Sequence, residues 1–551
     1  MRLIQAKSLE FREFNESHLP EYAILSHTWD SEEEVSLQDM SSPHPPTKKG
    51  YTKVTDTCRL ALGHGIEFVW VDTCCIDKAS SAELTESINS MFRWYQKAKI
   101  CYVYLADLSA ETRIEEGLGM CRWFTRGWTL QELLAPMEVQ FFDREWNYRG
   151  SKGDFAADIS RVTGIPETVI VGLVSLKDFS TAQRMAWASQ RETTRVEDIA
   201  YCLLGLFDVN MPLIYGEGLK AFRRLQEEII RQGVDPTLFS WQPSHPHLQG
   251  PYSSLLASSP VEFRECHNIT PHKYRVMSTY TITNKGLQIS TSLALTPVAS
   301  SGPGVDEVAR YVLSLGKLRI GRTNVEVGIY LKKIGPSLLV RETAPVLAKF
   351  VDGDYKSLRD TRIHTFCILT NVPFLTSSAE LQTGQILAFH IPIYEKIYID
   401  YESAAPTGSW DHRTRICFAP MSRTTVVAYS FVAFIGNTGL SFGLLFDFRD
   451  RGRRDLPRCL VIDKRTFEAR LLFLILQAKT AEPVDWWDVE NGLPGIPQFA
   501  DHLRVNEEGR EFKITAAFKG TIELESHPTG CPVLDIEIKE ISQSAMSSGL
   551  G

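Results

Sequence analysis

The chain has 551 residues, more than one ordinary core holds, so two or three domains are expected. Its 43% hydrophobic and 23% charged residues are those of a folded soluble protein, and a net charge of -8 argues against a general nucleic-acid binder. Eleven scattered cysteines without a CxxC pair exclude a disulfide scaffold and a paired zinc site.

In chain order, the first part alternates apolar runs with helical patterns. MRLIQAKSLEFREF has no apolar run of the kind that directs secretion, which with the cysteine usage implies a cytoplasmic protein. YAILSHTW (22–29) reads as a buried strand with a polar end. YTKVTDTCRLALGHG then reads as a helix closed by glycine. IEFVWVDTCCID (66–77) repeats the strand plan, with Asp72 at its carboxyl end. Ser80 and Glu83 make a capping box for a helix with Leu84, Ile88, Met91 and Tyr95 on one face. KICYVYLAD (99–107) is a third strand. This alternation predicts an α/β fold with a parallel sheet, whose ligands bind beyond the carboxyl ends of the strands. Ser26, His27, Trp29, Asp72, Thr73 and Asp107 all fall near that edge.

Residues 151–235 read as a helical extension. Thr194 and Glu197 suggest a capping box before VEDIAYCLLGLF, and LKAFRRLQEEIIRQG carries Leu219, Phe222, Leu225 and Ile229 at helical spacing. Residues 236–260, rich in Pro, Ser and His, read as a linker or irregular connection. From 261 to 551 the runs alternate: GLQISTSLAL, NVEVGIYLKK, HTFCILTNV, KITAAFKGTIELES and VLDIEIKEIS predict a β-rich domain, a sandwich or a barrel. VVAYSFVAFIGNTGLSFGLLF (426–446) is uncharged and long enough for a membrane span. Its central Gly-Asn-Thr-Gly reads better as a turn between two strands, so no stable span is expected.

The stretch CRWFTRGWTLQELL (121–134) surrounds one carboxylate, Glu132, with rings and arginines. A helix through WTLQEL places Trp128 and Glu132 on one face. Two readings stay open: a desolvated, tuned carboxylate, or an ion pair to Arg126 or Arg122. His27 reads as a base or substrate hydrogen-bonder, or equally as a loop cap; Asp72 as a ribose ligand or a helix cap. Gly216-Glu-Gly218 is too short for a phosphate loop and reads as a turn. Cys74 and Cys75 have no base partner in sequence and read as buried small residues. RDRGRRD (449–455), interleaved with aspartates, reads as a solvated loop.

Five ordered blocks, YAILSHTWD, FVWVDTCCIDK, SINSMFRWYQKA, ICYVYLAD and RGWTLQELLAP, resemble the fungal heterokaryon incompatibility (HET) domain over roughly residues 1–150. AQRMAWASQRETTRVEDIAYCLLGLFDVNMPLIYGEGLKAFRRLQEEI resembles the segment that often follows in that family. The resemblance implies a role in fungal nonself recognition and programmed cell death. It also implies a distant similarity to TIR domains, with their flavodoxin-like parallel sheet. Many TIR domains cleave NAD at the nicotinamide–ribose bond with a glutamate on a helix after the third strand, and plant members show a similar W-x-x-x-E-L spacing. By that resemblance Glu132 is the catalytic residue. Ser26, His27, Trp29, Asp72, Thr73 and Trp128 are the expected substrate contacts. NAD is the substrate, and no cofactor or metal is expected. Self-association and a protein partner in cell-death signalling are implied. The competing expectation is a non-enzymatic signalling module whose β-rich domain senses a partner or ligand. The two differ in one feature: an enzyme has a cavity at Glu132, whereas an adaptor buries Glu132 against an arginine.

Overall fold

The computed structural model describes residues 1–244 apart from 31, 43 and 45; 250–296 apart from 273–278; 310–350 apart from 336 and 345; and then 364–372, 386–392, 397–405, 410–411, 415–420, 426–435, 438–447, 458–463, 502–507, 510–524 and 527–541.

The N-terminal sheet has seven strands: β1 (Arg2–Gln5), β2 (Phe11–Glu13), β3 (Tyr22–His27), β4 (Phe68–Trp70), β5 (Ile100–Tyr104), β6 (Val139–Phe142) and β7 (Tyr148–Ser151). Their spatial order is β2-β1-β4-β3-β5-β6-β7. β3, β4, β5 and β6 run parallel. β1, β2 and β7 join as antiparallel edges. β3 is buried at every position, because a central parallel strand is covered on both faces. That is why YAILSH shows no polar alternation. The chain passes from β3 to β4 on one side, then to β5 on the other. The order therefore reverses between β3 and β5, the place where a parallel sheet leaves a crevice beyond its strand ends. The edge strands and β6 lie beyond the three strands legible in the sequence. At four residues or fewer each, they carry too little periodicity to register.

The second strand is shorter than the apolar run around it. It stops at Trp70, and Asp72–Cys75 forms one helical turn. Helix Ser81–Lys97 starts as expected, with the Ser80 hydroxyl accepting from Glu83 N, but the box is half made. The Glu83 carboxylate accepts instead from Arg2 Nη1 and Asp77 N, both at 2.8 Å. This helix packs Trp94 and Tyr95 edge-on against Trp70 of β4.

In the helical stretch, the helix expected from 196 to 207 is two short ones, Asp198–Tyr201 and Leu204–Phe207. Thr194 is not its cap. Glu197 Oε1 accepts from Gly216 N at 2.8 Å and Gly218 N at 3.0 Å, fixing the GEG turn. Gly216 and Gly218 hold φ of +102° and +61°, where a side chain would strain the backbone. Helix Lys220–Gln232 buries Phe222 and Leu225 and leaves Leu219 exposed before its first turn.

The described part of 236–260 is mostly irregular but well packed, with a helical turn at Pro236–Phe239 and a two-residue strand, Tyr252–Ser253, paired to Leu338–Glu342. Leu238, Phe239, Trp241 and Leu255 are buried in a core that runs without a break from Leu3 to Ile368. Arg341, from the β-rich half, crosses into this connection. Its guanidinium stacks 3.7 Å from the Trp241 ring centroid and donates to Phe239 O (3.1 Å) and Trp241 O (2.5 Å).

The β-rich half holds three sheets among the described residues. The first, of ten strands from Tyr252–Ser253 to His364–Ile368, shares the N-terminal core. The other two, of six and four strands, face each other across a separate core that includes Phe389, Trp410, Phe442, Leu444, Ile514 and Leu534. That pair has the layering of a sandwich. Val426–Ile435 and Thr438–Asp447 pair as an antiparallel hairpin, the two-strand reading of the uncharged run. No helix among the described residues is long and apolar enough to cross a membrane.

Candidate functional site

A cavity of about 300 Å³ opens beyond the carboxyl ends of the parallel strands. One wall comes from the sheet edge and the helices behind it: His27, Trp29, Asp72, Lys78, Arg126, Trp128 and Glu132. The floor is Ile76, Leu84, Ile88 and Met91. The opposite wall is Thr193, Thr194, Arg195, Asp198 and Tyr215. Every lining residue thus lies between His27 and Tyr215.

Glu132 stands on helix Thr129–Leu134, which is held at both ends. At its start, Arg191 Nη1 donates to Arg126 O and Thr129 Oγ1, both at 2.8 Å. At its end, Lys152 Nζ donates to Pro136 O at 2.5 Å and Leu133 O at 3.4 Å. Glu132 is 5% exposed, and its carboxylate accepts from the Ser26 hydroxyl, which in turn accepts from Trp123 Nε1 at 2.8 Å. Burial drives the Glu132 carboxyl up to about 8, and the nearby Asp72 adds to this. Ser26, Arg126 and Arg191 pull the other way. Among the described residues no cation lies within 4.0 Å of it, so neither Arg126 nor Arg122 forms the expected ion pair. Arg122 turns instead to Asp107, at 3.9 Å.

His27 is buried between two carboxylates, with Nε2 3.3 Å from Glu34 Oε2 and Nδ1 4.0 Å from Asp72 Oδ1. Burial alone would raise the Glu34 carboxyl, but His27 and Lys53 beside it bring it down to about 2. Asp72 Oδ2 accepts from Trp29 Nε1 at 3.0 Å. Asp198 accepts from Tyr215 OH at 2.9 Å and from Trp128 Nε1 at 3.4 Å, so it joins the two walls, and burial raises its carboxyl.

The structure thus brings His27, Trp29, Asp72, Trp128 and Glu132 to one cavity. Ser26 is fully buried behind Glu132 and reaches the cavity only through that carboxylate. Thr73 is buried in the helical turn after β4 and does not line the cavity, because that turn takes its side chain inward. Asp107 is likewise away from it, accepting from Arg122 N at 2.8 Å. Cys74 is fully buried, and its neighbour Cys75 and burial push its thiol up, which removes it as a thiolate nucleophile. The second wall escaped the sequence reading. Its one local signal is an Arg195 three residues before Asp198 in a stretch read only as a helix start.

A parallel-sheet domain with a ring-lined, carboxylate-bearing cavity at its switch point is the class that this geometry defines. Residues 22–118 match the family model of the heterokaryon incompatibility protein (HET), and residues 220–300 match a domain of unknown function, DUF8212. The vegetative incompatibility protein HET-E-1 of Podospora anserina is 52% identical over 220 residues. That stretch is 38% of this chain and 16% of the relative, so the match spans a small part of the relative's length. No solved structure matches. The likeness to the heterokaryon incompatibility domain thus lies in residues 22–118, and Glu132 lies beyond the segment that the family model covers.

Proposed function

We propose that this protein acts in fungal nonself recognition leading to cell death, and that its HET domain does so by cleaving NAD between nicotinamide and ribose. The observation that carries the second part is the Glu132 carboxylate: it lines a cavity at the sheet's switch point, is held by Ser26, and has no ion-pair partner among the described residues. The parallel order, with β3 between β4 and β5 and β6 outside β5, is that of the first four strands of a flavodoxin-like sheet, which favours the TIR likeness.

In the reaction the bond between ribose C1′ and the pyridinium nitrogen breaks, and its electron pair leaves with neutral nicotinamide. Water adds to C1′ and gives up one proton, leaving ADP-ribose. Positive charge builds on the ribose as the bond opens. Glu132, fixed by the clamps on its helix, faces that charge when ionised. A cationic pyridinium in the cavity favours the ionised form, offsetting the burial that raises its pKa. The apolar floor of Leu84, Ile88 and Met91 suits a flat ring and keeps bulk water away. The leaving group is neutral, so no general acid is required.

The test is nicotinamide release from NAD by the full chain at high concentration, beside Glu132→Ala with its folding verified by melting. Release that disappears in the variant supports the proposal. If the folded wild-type chain releases no nicotinamide, the cleavage reading fails, and the domain acts as a signalling module.

A further inference from the structure

We propose that Lys78, Arg126 and Arg195 form a subsite at the mouth of the cavity that takes a phosphate or diphosphate of the bound ligand. This rests on reading the cavity as a ligand site, and it does not require that the ligand be cleaved.

Three observations carry it. First, these basic side chains line the cavity, and among the described residues none has a carboxylate within 4.0 Å. Basic groups nearby behave differently: Lys53 is paired with Glu34 and Arg224 with Glu217. Second, the three are held by ring faces. Lys78 Nζ lies 3.7 Å from the Trp29 ring centroid, the Arg126 guanidinium 5.4 Å from the same ring, and the Arg195 guanidinium 4.5 Å from the Tyr215 ring. A ring face fixes a guanidinium in place and leaves its in-plane N–H groups free, the arrangement that grips phosphate oxygens in pairs. Third, the charges do not cancel. Three cations share the cavity with Asp72 and Asp198, each already accepting from an indole or phenol, while Glu132 keeps its proton near neutral pH. Burial holds the Lys78 ammonium below its ordinary value; Asp72 nearby pulls it back up, and Arg126 adds a smaller repulsion. An anion at the mouth offsets both the burial and the repulsion.

Size points the same way. A volume of about 300 Å³ is at the small end for ligand pockets, room for a ring with its sugar. The rest of a dinucleotide then lies outward, where Lys78 and Arg195 are exposed. The cations come from three separate parts of the chain, and Arg195 belongs to the second wall. A phosphate bound among them ties that wall to the sheet edge.

The experiment is calorimetric binding of ADP-ribose, nicotinamide riboside and inorganic diphosphate to the full chain, its Arg195→Gln variant and a Lys78→Gln, Arg195→Gln double variant. Melting curves control for folding, and Arg195→Lys tests charge without the fork. ADP-ribose should bind the wild type more tightly than the riboside does. Each removed cation should weaken ADP-ribose by about tenfold or more. Riboside binding should not change, and Arg195→Lys should fall between wild type and Arg195→Gln. If ADP-ribose binds wild type and both variants equally, the subsite is refuted and the cavity survives as a ligand site. If the folded wild type binds none of the probes, the subsite and the ligand site fall together. If ADP-ribose binds as described but NAD is not cleaved, the subsite stands and the cleavage reading falls.

Discussion

Replacing Glu132 by glutamine should change how the stability of the protein depends on pH. Burial raises the Glu132 carboxyl from an ordinary 4.5 to about 8. Between those values the unfolded chain has lost the proton and the folded chain still holds it. The folded state therefore binds more protons, and stability falls as pH rises through that window. At about 1.4 kcal/mol per pH unit, the full loss by pH 8 is about 5 kcal/mol, an upper bound if water or a side chain relaxes toward the anion. Below pH 4.5 both states are protonated and this contribution is fully present. Glutamine has nearly the shape of the protonated acid, can accept the Ser26 hydroxyl hydrogen bond and does not titrate. Glu132→Gln should then match the wild type near pH 5 and become the more stable protein by pH 8. Urea unfolding from pH 5 to 8.5, followed by tryptophan fluorescence, measures this. Eight of the eleven tryptophans precede residue 242, so the signal reports the half that holds Glu132. A difference between the two proteins that stays constant across this range would mean that Glu132 ionises normally in the fold, and the burial argument would be wrong.

Activity should carry the same titration. If ionised Glu132 is the working form, kcat/KM for nicotinamide release rises with pH through about 8. Asp72→Asn removes a repelling charge and moves that limb to lower pH, whereas Ser26→Ala removes a hydrogen bond to the anion and moves it higher; limbs that move together or not at all refute the assignment. Packing gives a further pair. A methyl group at Gly205 would sit 2.1 Å from Phe92 Cβ, so Gly205→Ala should destabilise by about 1–3 kcal/mol in the same urea assay. Gly63 meets nothing within 4 Å at the end of its helix, so Gly63→Ala should be neutral or stabilising by up to about 1 kcal/mol.

The sheet was legible where burial on both faces leaves an unbroken apolar run, as in YAILSH and ICYVY. The hairpin in the uncharged run was legible because four turn-forming residues interrupt it at the middle. The site was legible only as far as the strand ends and one helix reach. His27, Trp29 and Asp72 follow from the rule that parallel sheets bind at their carboxyl edge, whereas Glu132 stood out by the rings and arginines around it and by the family resemblance, and Trp128 by helical spacing to it. Ser26 and Thr73 show where that rule stops: it places residues at the edge but does not say which way a side chain turns there. The wall of Arg195, Asp198 and Tyr215 depends on tertiary contacts far apart in sequence, and no local pattern encodes those.

That second wall also bears on what the functional unit is. Asp198 accepts from Trp128 Nε1 across the cavity, Arg191 secures the first turn of the Glu132 helix, and Glu197 locks the Gly216–Gly218 turn that precedes helix Lys220–Gln232. Without residues 191–218 the start of the Glu132 helix loses its clamp, Trp128 loses its partner, and the cavity loses one side. The helical segment after residue 150 therefore builds the cavity together with the sheet, and a chain ending at the sheet would hold Glu132 without that second wall.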